Sequence, residues 1–585
     1  MKLLESNLNS LWASLLVEEL VRNGIDYFCL APGSRCTPLT VAVASNPNTT
    51  ESLHYDERGL AFHALGYGRA TRRPAVVVTT SGTAAANLMP AVIEASMERI
   101  PLLLLTGDRP PELRDTTANQ TIDQVKIFGD YVRWFVDLPC PNRRISPTFV
   151  LTTFDQAIHR CHGATGGPVH INCMFREPLV PESQGEDFTG YLKPISGWAE
   201  NKLPYTEYIA PERTAGPETL ERLSNVLKRT ARGLVVIGGI SDHKAHPALD
   251  ALIKKLNWPV CADITSGFRL GDCSGLIVIG SDVLARNQAF SKTHVPEVVL
   301  HLGGRIVSKH VEAFLHKSKP SEYILISDNP KRHDPLHEVT LKIEADIASV
   351  CFALTKRLDS QQTTPYLSSW QEKMHSARKV FQVFADHESK LSEPVVAHLV
   401  SQNILPDHGL FLANSMPVRD MDSFAGSNGA LVPVGVNRGA SGIDGTIATA
   451  TGFAAGFKRP VTLLIGDIAF LHDLNSLNYL SNSKYPITAI VINNNGGGIF
   501  SHLPIACFEQ FFERYFVTPH DLTFEKAAGM YGLSYYHPET RQEFVSCYQK
   551  VIESRSSTIV EVTIDRKTNH ALYTQLITDM HGAME

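Results

Sequence analysis

The chain has 585 residues, too many for one hydrophobic core, and typical domain sizes divide it into three or four units. Its composition, 43% apolar and 19% charged, is that of a globular protein, and a net charge of -6 with no dense basic run gives no reason to expect nucleic acid. The apolar runs stop at strand length, which argues against a membrane span.

From Met1 to Val21, Leu4, Leu8, Leu11, Leu15, Leu16 and Leu20 stand among Glu5, Asn7, Asn9 and Glu18, the pattern of an amphipathic helix. The stretch lacks the basic start and unbroken apolar centre of a secretory signal, and the arginines of a transit peptide. The ten cysteines form no Cys-x-x-Cys pair and read as reduced, mostly buried thiols, so a soluble cytoplasmic protein is expected.

Strand-like runs at Tyr27–Leu30, Ala75–Val78, Leu102–Leu105 and Val169–Asn172 alternate with helical segments, including a helix over Gly59–Ala70. Such alternation predicts an α/β unit with a parallel sheet, placed at 1–185. Pro181 to Pro217 is rich in Pro, Gly, Ser and charge and reads as a linker. A middle α/β unit, 210–358, is expected from runs at Leu234–Ile237, Leu276–Ile279, Val298–Leu300 and Tyr323–Ile326; it has no Gly-x-Gly-x-x-Gly after a strand and no Walker A loop. The polar stretch Asp359 to Thr364 precedes a third unit, 370–585, in which Pro460–Ile465 and Ile487–Ile492 read as buried strands around a helical Leu474–Leu480. The expected fold is therefore three consecutive α/β domains with mainly parallel sheets.

The third unit holds the most informative pattern. Gly466-Asp467 closes one strand, and Asn493-Asn494-Asn495 closes the next. A right-handed crossover would place Asp467 and Asn494 at the same carboxyl edge of the sheet. A carboxylate, an amide oxygen and the Gly496 carbonyl are hard donors of the kind Mg²⁺ takes from protein while phosphates and water complete its octahedron. The same residues also serve ordinary tight turns.

This spacing resembles the thiamine diphosphate signature, with Ile468 where a third glycine is usual. Thiamine chemistry also needs a carboxyl group to hydrogen-bond the aminopyrimidine and promote its imino tautomer, the base for the thiazolium proton. Glu57, in His54-Tyr-Asp-Glu-Arg-Gly59, is the candidate, although an acidic residue in a helix's first turn has a dipole explanation as well. Pro32, in Ala31-Pro-Gly-Ser-Arg35, and Ser81, Gly82 and Asn87, in Thr80 to Asn87, lie in small-residue loops where backbone can approach a planar ring. A bulky apolar residue, Ile443, sits inside Asn437 to Gly445; an exposed isoleucine is not unusual, and a wedge between the two cofactor rings that holds them bent is the functional reading.

Taken together, Ala31–Arg35, Tyr55–Gly59, Gly107–Arg114, Ala118–Gln120, Asn437–Gly445 and Asn493–Phe500 resemble the 2-succinyl-5-enolpyruvyl-6-hydroxy-3-cyclohexene-1-carboxylate synthases of menaquinone and phylloquinone biosynthesis. The likeness spans the chain in order. It implies the thiamine diphosphate-binding fold, thiamine diphosphate with Mg²⁺ or Mn²⁺, the substrates 2-oxoglutarate and isochorismate, and a homodimer or dimer of dimers with active sites shared between subunits. It also implies roles: Glu57 and Gln120 catalytic; Gly466, Asp467, Ile468, Asn494 and Gly496 at the cofactor's metal end; Ser415 and Ile499 touching both cofactor and substrate. Ser34, Arg35, Arg109, Asn119, Gln120, Lys309, Arg419, Arg438 and Phe500 would line the substrate region. Lys309 is followed by His310 where these enzymes often have arginine. Arg35, Arg109, Arg419 and Arg438 suit substrates with several carboxylates, which guanidinium groups bind through paired charge-assisted bonds. Asn119-Gln120 occupies a region where some related decarboxylases carry paired histidines, so a site poor in imidazole proton donors is expected. Another thiamine-dependent 2-oxo acid decarboxylase or carboligase, and a non-catalytic scaffold of the same fold, are the alternatives.

Overall fold

The structure, a computed structural model, describes residues 3–163, 165–240, 242–271 and 275–585. Met1 and Lys2 of the expected first helix, and Cys273, lie outside the described residues. The chain divides into two compact units: one runs to Pro211 and includes Asn437–Lys458 and His472–Tyr485, and the other contains Glu212–Val436, Arg459–Leu471 and Pro486–Glu585.

The first unit is built on a sheet of β1 (Tyr27–Leu30), β2 (Thr50–Leu53), β3 (Ala75–Thr79), β4 (Leu102–Asp108), β5 (Phe135–Leu138) and β6 (Pro168–Met174), in the order β2-β1-β3-β4-β6-β5 with every pairing parallel. Its central strands read as unbroken apolar runs because both faces are covered. Val76, Val78, Leu103 and Leu105 pack with helices Leu8–Arg22 and Pro147–Cys161, while Ala75, Val77, Leu102 and Leu104 pack with helices Glu57–Thr71 and Met89–Glu98. The first helix starts only at Leu8, where the Asn7 side chain accepts the Ser10 N–H as an N-cap. The expected linker is partly packed structure: Phe188, Ile195 and Trp198 are buried in this unit's core.

Helix Glu57–Thr71 lies against helix Thr446–Phe457 in the same unit, and glycines permit their approach. A Cβ at Gly66 would fall 2.1 Å from the Thr449 carbonyl oxygen, and one at Gly452 would fall 1.9 Å from that of His63. No small shift relieves contacts that short against backbone, so these crossings require glycine.

The second unit carries two sheets. The middle one has the order β11-β10-β9-β7-β8, with β7 Gly233–Ile237, β8 Val260–Ala262, β9 Val298–Leu302, β10 Glu322–Ser327 and β11 Leu341–Glu344. The expected strand Leu276–Ile279 does not form. That run meets β8 in a single parallel bridge, Val260 with Ile277, and turns away at Gly280, whose φ is +79°.

The other sheet contains β12 (Gly409–Leu412), β13 (Val434–Val436), β14 (Val461–Gly466), β15 (Ile487–Asn493), β16 (Ser534–Tyr536) and β17 (Thr558–Thr563), ordered β13-β12-β14-β15-β17-β16. Counted within its own sheet, this order repeats that of the first sheet, a correspondence without an obvious sequence repeat. In each, the chain reverses its direction of sheet growth beside the first strand, between β1 and β3 and between β12 and β14. Such switch points open a crevice at the carboxyl edge where ligands bind.

Among the described residues, no helix is long and apolar enough to cross a membrane. Nine cysteines among the described residues are free, seven of them buried.

Candidate active site

At the carboxyl edge of the first sheet, the loops after β1, β3 and β4 gather the residues expected there. Gly33 lets the β1 loop meet the β3 loop, since a Cβ on it would fall 2.3 Å from Thr80 Cβ. Ser81 Oγ donates to the Gln120 carbonyl at 3.0 Å, and Gln120 Nε2 donates to the Ser81 carbonyl at 3.0 Å. Arg109 bridges the same elements, with Nη1 3.0 Å from Ser81 Oγ and Nη2 3.0 Å from the Asn119 carbonyl. Gln120 sits at φ +57°, in the left-handed region that side-chain-bearing residues seldom enter.

Arg35 is buried, donates to the Phe175 carbonyl at 3.0 Å and pairs with Glu177 at 3.3 Å. Burial, and then the neighbouring Arg109 charge, lower the Arg35 guanidinium below its ordinary range. Pro32 and Ser34 are exposed on the β1 loop; Asn87 is exposed at the end of the short helix Thr83–Ala86.

Glu57 follows β2 and is the first residue of helix Glu57–Thr71, two residues before the expected start. Its neighbours are tied down: Asp56 caps the helix through the Arg58 and Gly59 N–H groups, His54 Nδ1 accepts the Asp56 N–H at 2.8 Å, and Arg58 Nη2 donates to the His472 carbonyl at 2.9 Å. Glu57 is half-buried, and among the described residues its carboxyl makes no hydrogen bond or ion pair. A fixed backbone thus presents an uncommitted carboxyl group.

The 437–445 loop is held by a residue the sequence reading missed. Glu94, buried, accepts the Gly439 N–H at 2.8 Å on Oε1 and the Ala440 N–H at 2.6 Å on Oε2, and Arg69 pairs with it at 3.2 Å. Arg438 directly precedes those amides, and Ile443 follows them, half-buried.

In the second unit, β14 and β15 run parallel with Gly466 opposite Ile492, so Asp467 and Asn494 emerge at one edge as expected. Asp467 Oδ1 accepts the Ile468 N–H at 2.7 Å and Oδ2 the Gly496 N–H at 2.9 Å. His520, a further unforeseen neighbour, lies with Nε2 3.2 Å from Asp467 Oδ2. Its Nδ1 accepts the Leu522 N–H at 3.0 Å, so Nε2 carries the proton and donates to the carboxylate. The imidazole-poor reading thus describes the Asn119-Gln120 loop but not the surroundings of Asp467. Burial raises the Asp467 carboxyl above its ordinary value, opposed by these donors.

Asn494 Nδ2 donates to Glu393 Oε1 at 2.7 Å, while its Oδ1 is buried with no hydrogen-bond partner. Gly496 has φ +133°, and a Cβ there would fall 2.2 Å from the Val517 carbonyl oxygen, so this turn needs glycine. Its carbonyl accepts the Gly498 N–H at 2.9 Å and keeps its second lone pair. Among the described residues, no group of three or more His, Cys, Asp and Glu is placed to hold a metal; a cation at this edge would need carboxylate, amide and carbonyl oxygens. The orphaned Asn494 Oδ1 fits such a cation: a buried polar oxygen without a partner is costly unless a ligand satisfies it.

Ser415, after β12, has φ +74° and ψ -128° and opens helix Met416–Phe424. The Arg419 guanidinium, one turn on, donates to the Ser415 carbonyl. Ile499 packs against an apolar cluster that includes Met416, Phe424 and Tyr573, and Phe500 meets Phe516 edge to face at 5.5 Å. Lys309 is exposed at the start of helix Lys309–Ser318, capped by Ser308, with exposed His310 beside it.

Comparison with known proteins covers the same regions. The family described as thiamine pyrophosphate enzyme, N-terminal TPP binding domain, matches residues 12–127. The middle domain of thiamine pyrophosphate enzymes matches 189–412, and the C-terminal TPP binding domain matches 426–562. The chain is 46% identical to the 2-succinyl-5-enolpyruvyl-6-hydroxy-3-cyclohexene-1-carboxylate synthase of Rubrobacter xylanophilus, covering 98% of this chain and 99% of the relative. It is likewise 46% identical to that of Salinibacter ruber, over 98% and 97%, and 42% identical to that of Pelodictyon phaeoclathratiforme, over 96% and 94%.

Proposed function

The chain belongs to the 2-succinyl-5-enolpyruvyl-6-hydroxy-3-cyclohexene-1-carboxylate synthase family of thiamine diphosphate enzymes, and from that premise we propose how its residues divide the work. The reaction is that of the family, a step of menaquinone biosynthesis: 2-oxoglutarate loses CO₂, and its succinyl carbanion equivalent adds to the conjugated ring of isochorismate. When bound, thiamine diphosphate supplies the electron sink for that decarboxylation and transfer.

Asp467, Asn494 through Oδ1 and Gly496 through its carbonyl would hold Mg²⁺ or Mn²⁺, whose charge would anchor the diphosphate. Gly466 and Ile468 shape this end of the site. Glu57 keeps a proton at the aminopyrimidine ring nitrogen. Pro32, Ser81, Gly82 and Asn87 would allow close backbone approach to the cofactor, and Ile443 would pack its apolar side chain against it. Arg35, Arg109, Arg419, Arg438 and Lys309 neutralise and orient substrate carboxylates; Ser34, Asn119, Ser415, Ile499 and Phe500 complete the lining. Gln120, an amide held against the Ser81 carbonyl, would offer the cofactor's surroundings no acidic proton. Positioning and charge complementarity are the protein's contribution.

The assembly we propose is a homodimer, or a dimer of dimers, in which each site is shared between subunits. The observation that carries the reading is the buried, unpartnered Asn494 Oδ1 beside the Asp467 to Gly496 contact. Incubation with thiamine diphosphate, Mg²⁺, 2-oxoglutarate and isochorismate, omitting each in turn and identifying the product by mass, tests it. Product formed without thiamine diphosphate would overturn it.

A further inference from the structure

Only hydrogen bonds decide which end of an asparagine amide faces which way, since oxygen and nitrogen are nearly alike in size. For Asn494 the deciding partner is Glu393, 101 residues earlier, whose Oε1 accepts Nδ2 at 2.7 Å. That carboxyl is itself held in place. Glu393 is the first residue of helix Glu393–Asn403 and is buried; its backbone N–H donates to Asn569 Oδ1 at 3.0 Å, and the carboxyl of Asp420, also buried, is its neighbour. Burying two carboxyl groups side by side is costly. The helix that Glu393 opens is apolar, with Val395, Val396, Leu399 and Val400 buried, and methionine matches glutamate in length. What methionine lacks is an acceptor for Asn494.

We propose that Glu393 is a positioning residue for the metal end of the site: by accepting the Asn494 N–H it turns the amide so that Oδ1, and not Nδ2, faces the cation. The inference rests on the reading of Asn494 as a metal ligand. Without the acceptor, the amide is free to flip and present hydrogens to a cation. Partners behind a metal ligand commonly account for 10- to 100-fold in metal affinity.

The test is Mn²⁺ titration of the full-length protein with saturating thiamine diphosphate, reading free Mn²⁺ by its paramagnetic resonance signal, with folding checked by circular dichroism. Glu393→Met is expected to weaken Mn²⁺ binding roughly 10- to 100-fold. Glu393→Gln, which keeps an acceptor oxygen, is expected to remain near wild type. A folded Glu393→Met protein with wild-type affinity, or a Glu393→Gln protein weakened as much as Glu393→Met, would overturn the proposal. Should Glu393→Met not fold, the exchange Glu393→Gln with Asn494→Asp decides, because it swaps donor and acceptor. It is expected to bind Mn²⁺ more tightly than Asn494→Asp alone, and equal affinity would refute the proposal. Asp467→Ala separates the two levels of the argument: wild-type Mn²⁺ binding by that variant removes the metal-site reading itself. Weak binding by Asp467→Ala beside an unchanged, folded Glu393→Met removes only the role of Glu393.

Discussion

Asp467 Oδ2 accepts the Gly496 N–H at 2.9 Å, and this one contact joins the ends of two neighbouring parallel strands. It places a carboxylate against the turn that bears Asn494. Replacing Asp467 with alanine removes the only carboxylate assigned to the metal, so cofactor affinity should fall. Thiamine diphosphate titration at fixed Mg²⁺ checks this; unchanged affinity would show that the Gly-Asp step is only a turn.

Glu57→Gln should slow proton-deuterium exchange at the thiazolium carbon by about 10²–10⁴-fold, the usual worth of a positioned acid-base group, with cofactor binding largely retained. Unchanged exchange would leave Glu57 with its helix-dipole role alone. If sites are shared between subunits, co-expressing Glu57→Gln and Asp467→Ala chains should recover turnover, because one site of the mixed dimer then receives neither lesion.

Arg419 and Arg438 are assigned to substrate carboxylates. Alanine at either should lower kcat/KM while thiamine diphosphate affinity stays near wild type. For Arg419 the loss of its bond to the Ser415 carbonyl also loosens a strained residue, so cofactor affinity must be measured in the same variant. Parallel loss of both properties would mark structural damage.

A pH effect on stability follows from Glu19, which lies buried far from these loops in sequence. Its carboxyl accepts the Trp198 Nε1–H and Tyr205 N–H groups at 2.5 Å each. Burial, followed by the hydrogen bond to Asp155, raises it from 4.5 to about 8. The folded state therefore holds a proton that the unfolded chain releases above its ordinary carboxylate range. This contribution to stability is full below about 4.5 and is lost as pH rises through about 8. Thermal midpoints should show Glu19→Gln gaining on the wild type across that interval; a difference independent of pH would contradict the assignment.

Much of this was legible in the sequence because it is local. Apolar runs gave β1, β3, β14 and β15 nearly to the residue, and the Gly466-Asp467 and Asn493-Asn494 steps lie at the strand ends where a parallel pair must bring them together. Leu276–Ile279 misled for a physical reason: an apolar run shows burial, but a strand also needs a partner along its length, and Gly280 turns this one after a single bridge. Glu393, His520 and Glu94 were invisible because tertiary structure alone assigns them. Glu94 reaches Gly439 across 345 residues, and no local spacing encodes such a contact.

The most direct measurement is the fate of uniformly ¹³C-labelled 2-oxoglutarate when isochorismate is present with thiamine diphosphate and Mg²⁺. The account predicts that labelled CO₂ appears in step with isochorismate loss, and that the remaining labelled carbons are found by mass in 2-succinyl-5-enolpyruvyl-6-hydroxy-3-cyclohexene-1-carboxylate. Labelled succinic semialdehyde as the main product, with isochorismate left intact, would contradict it.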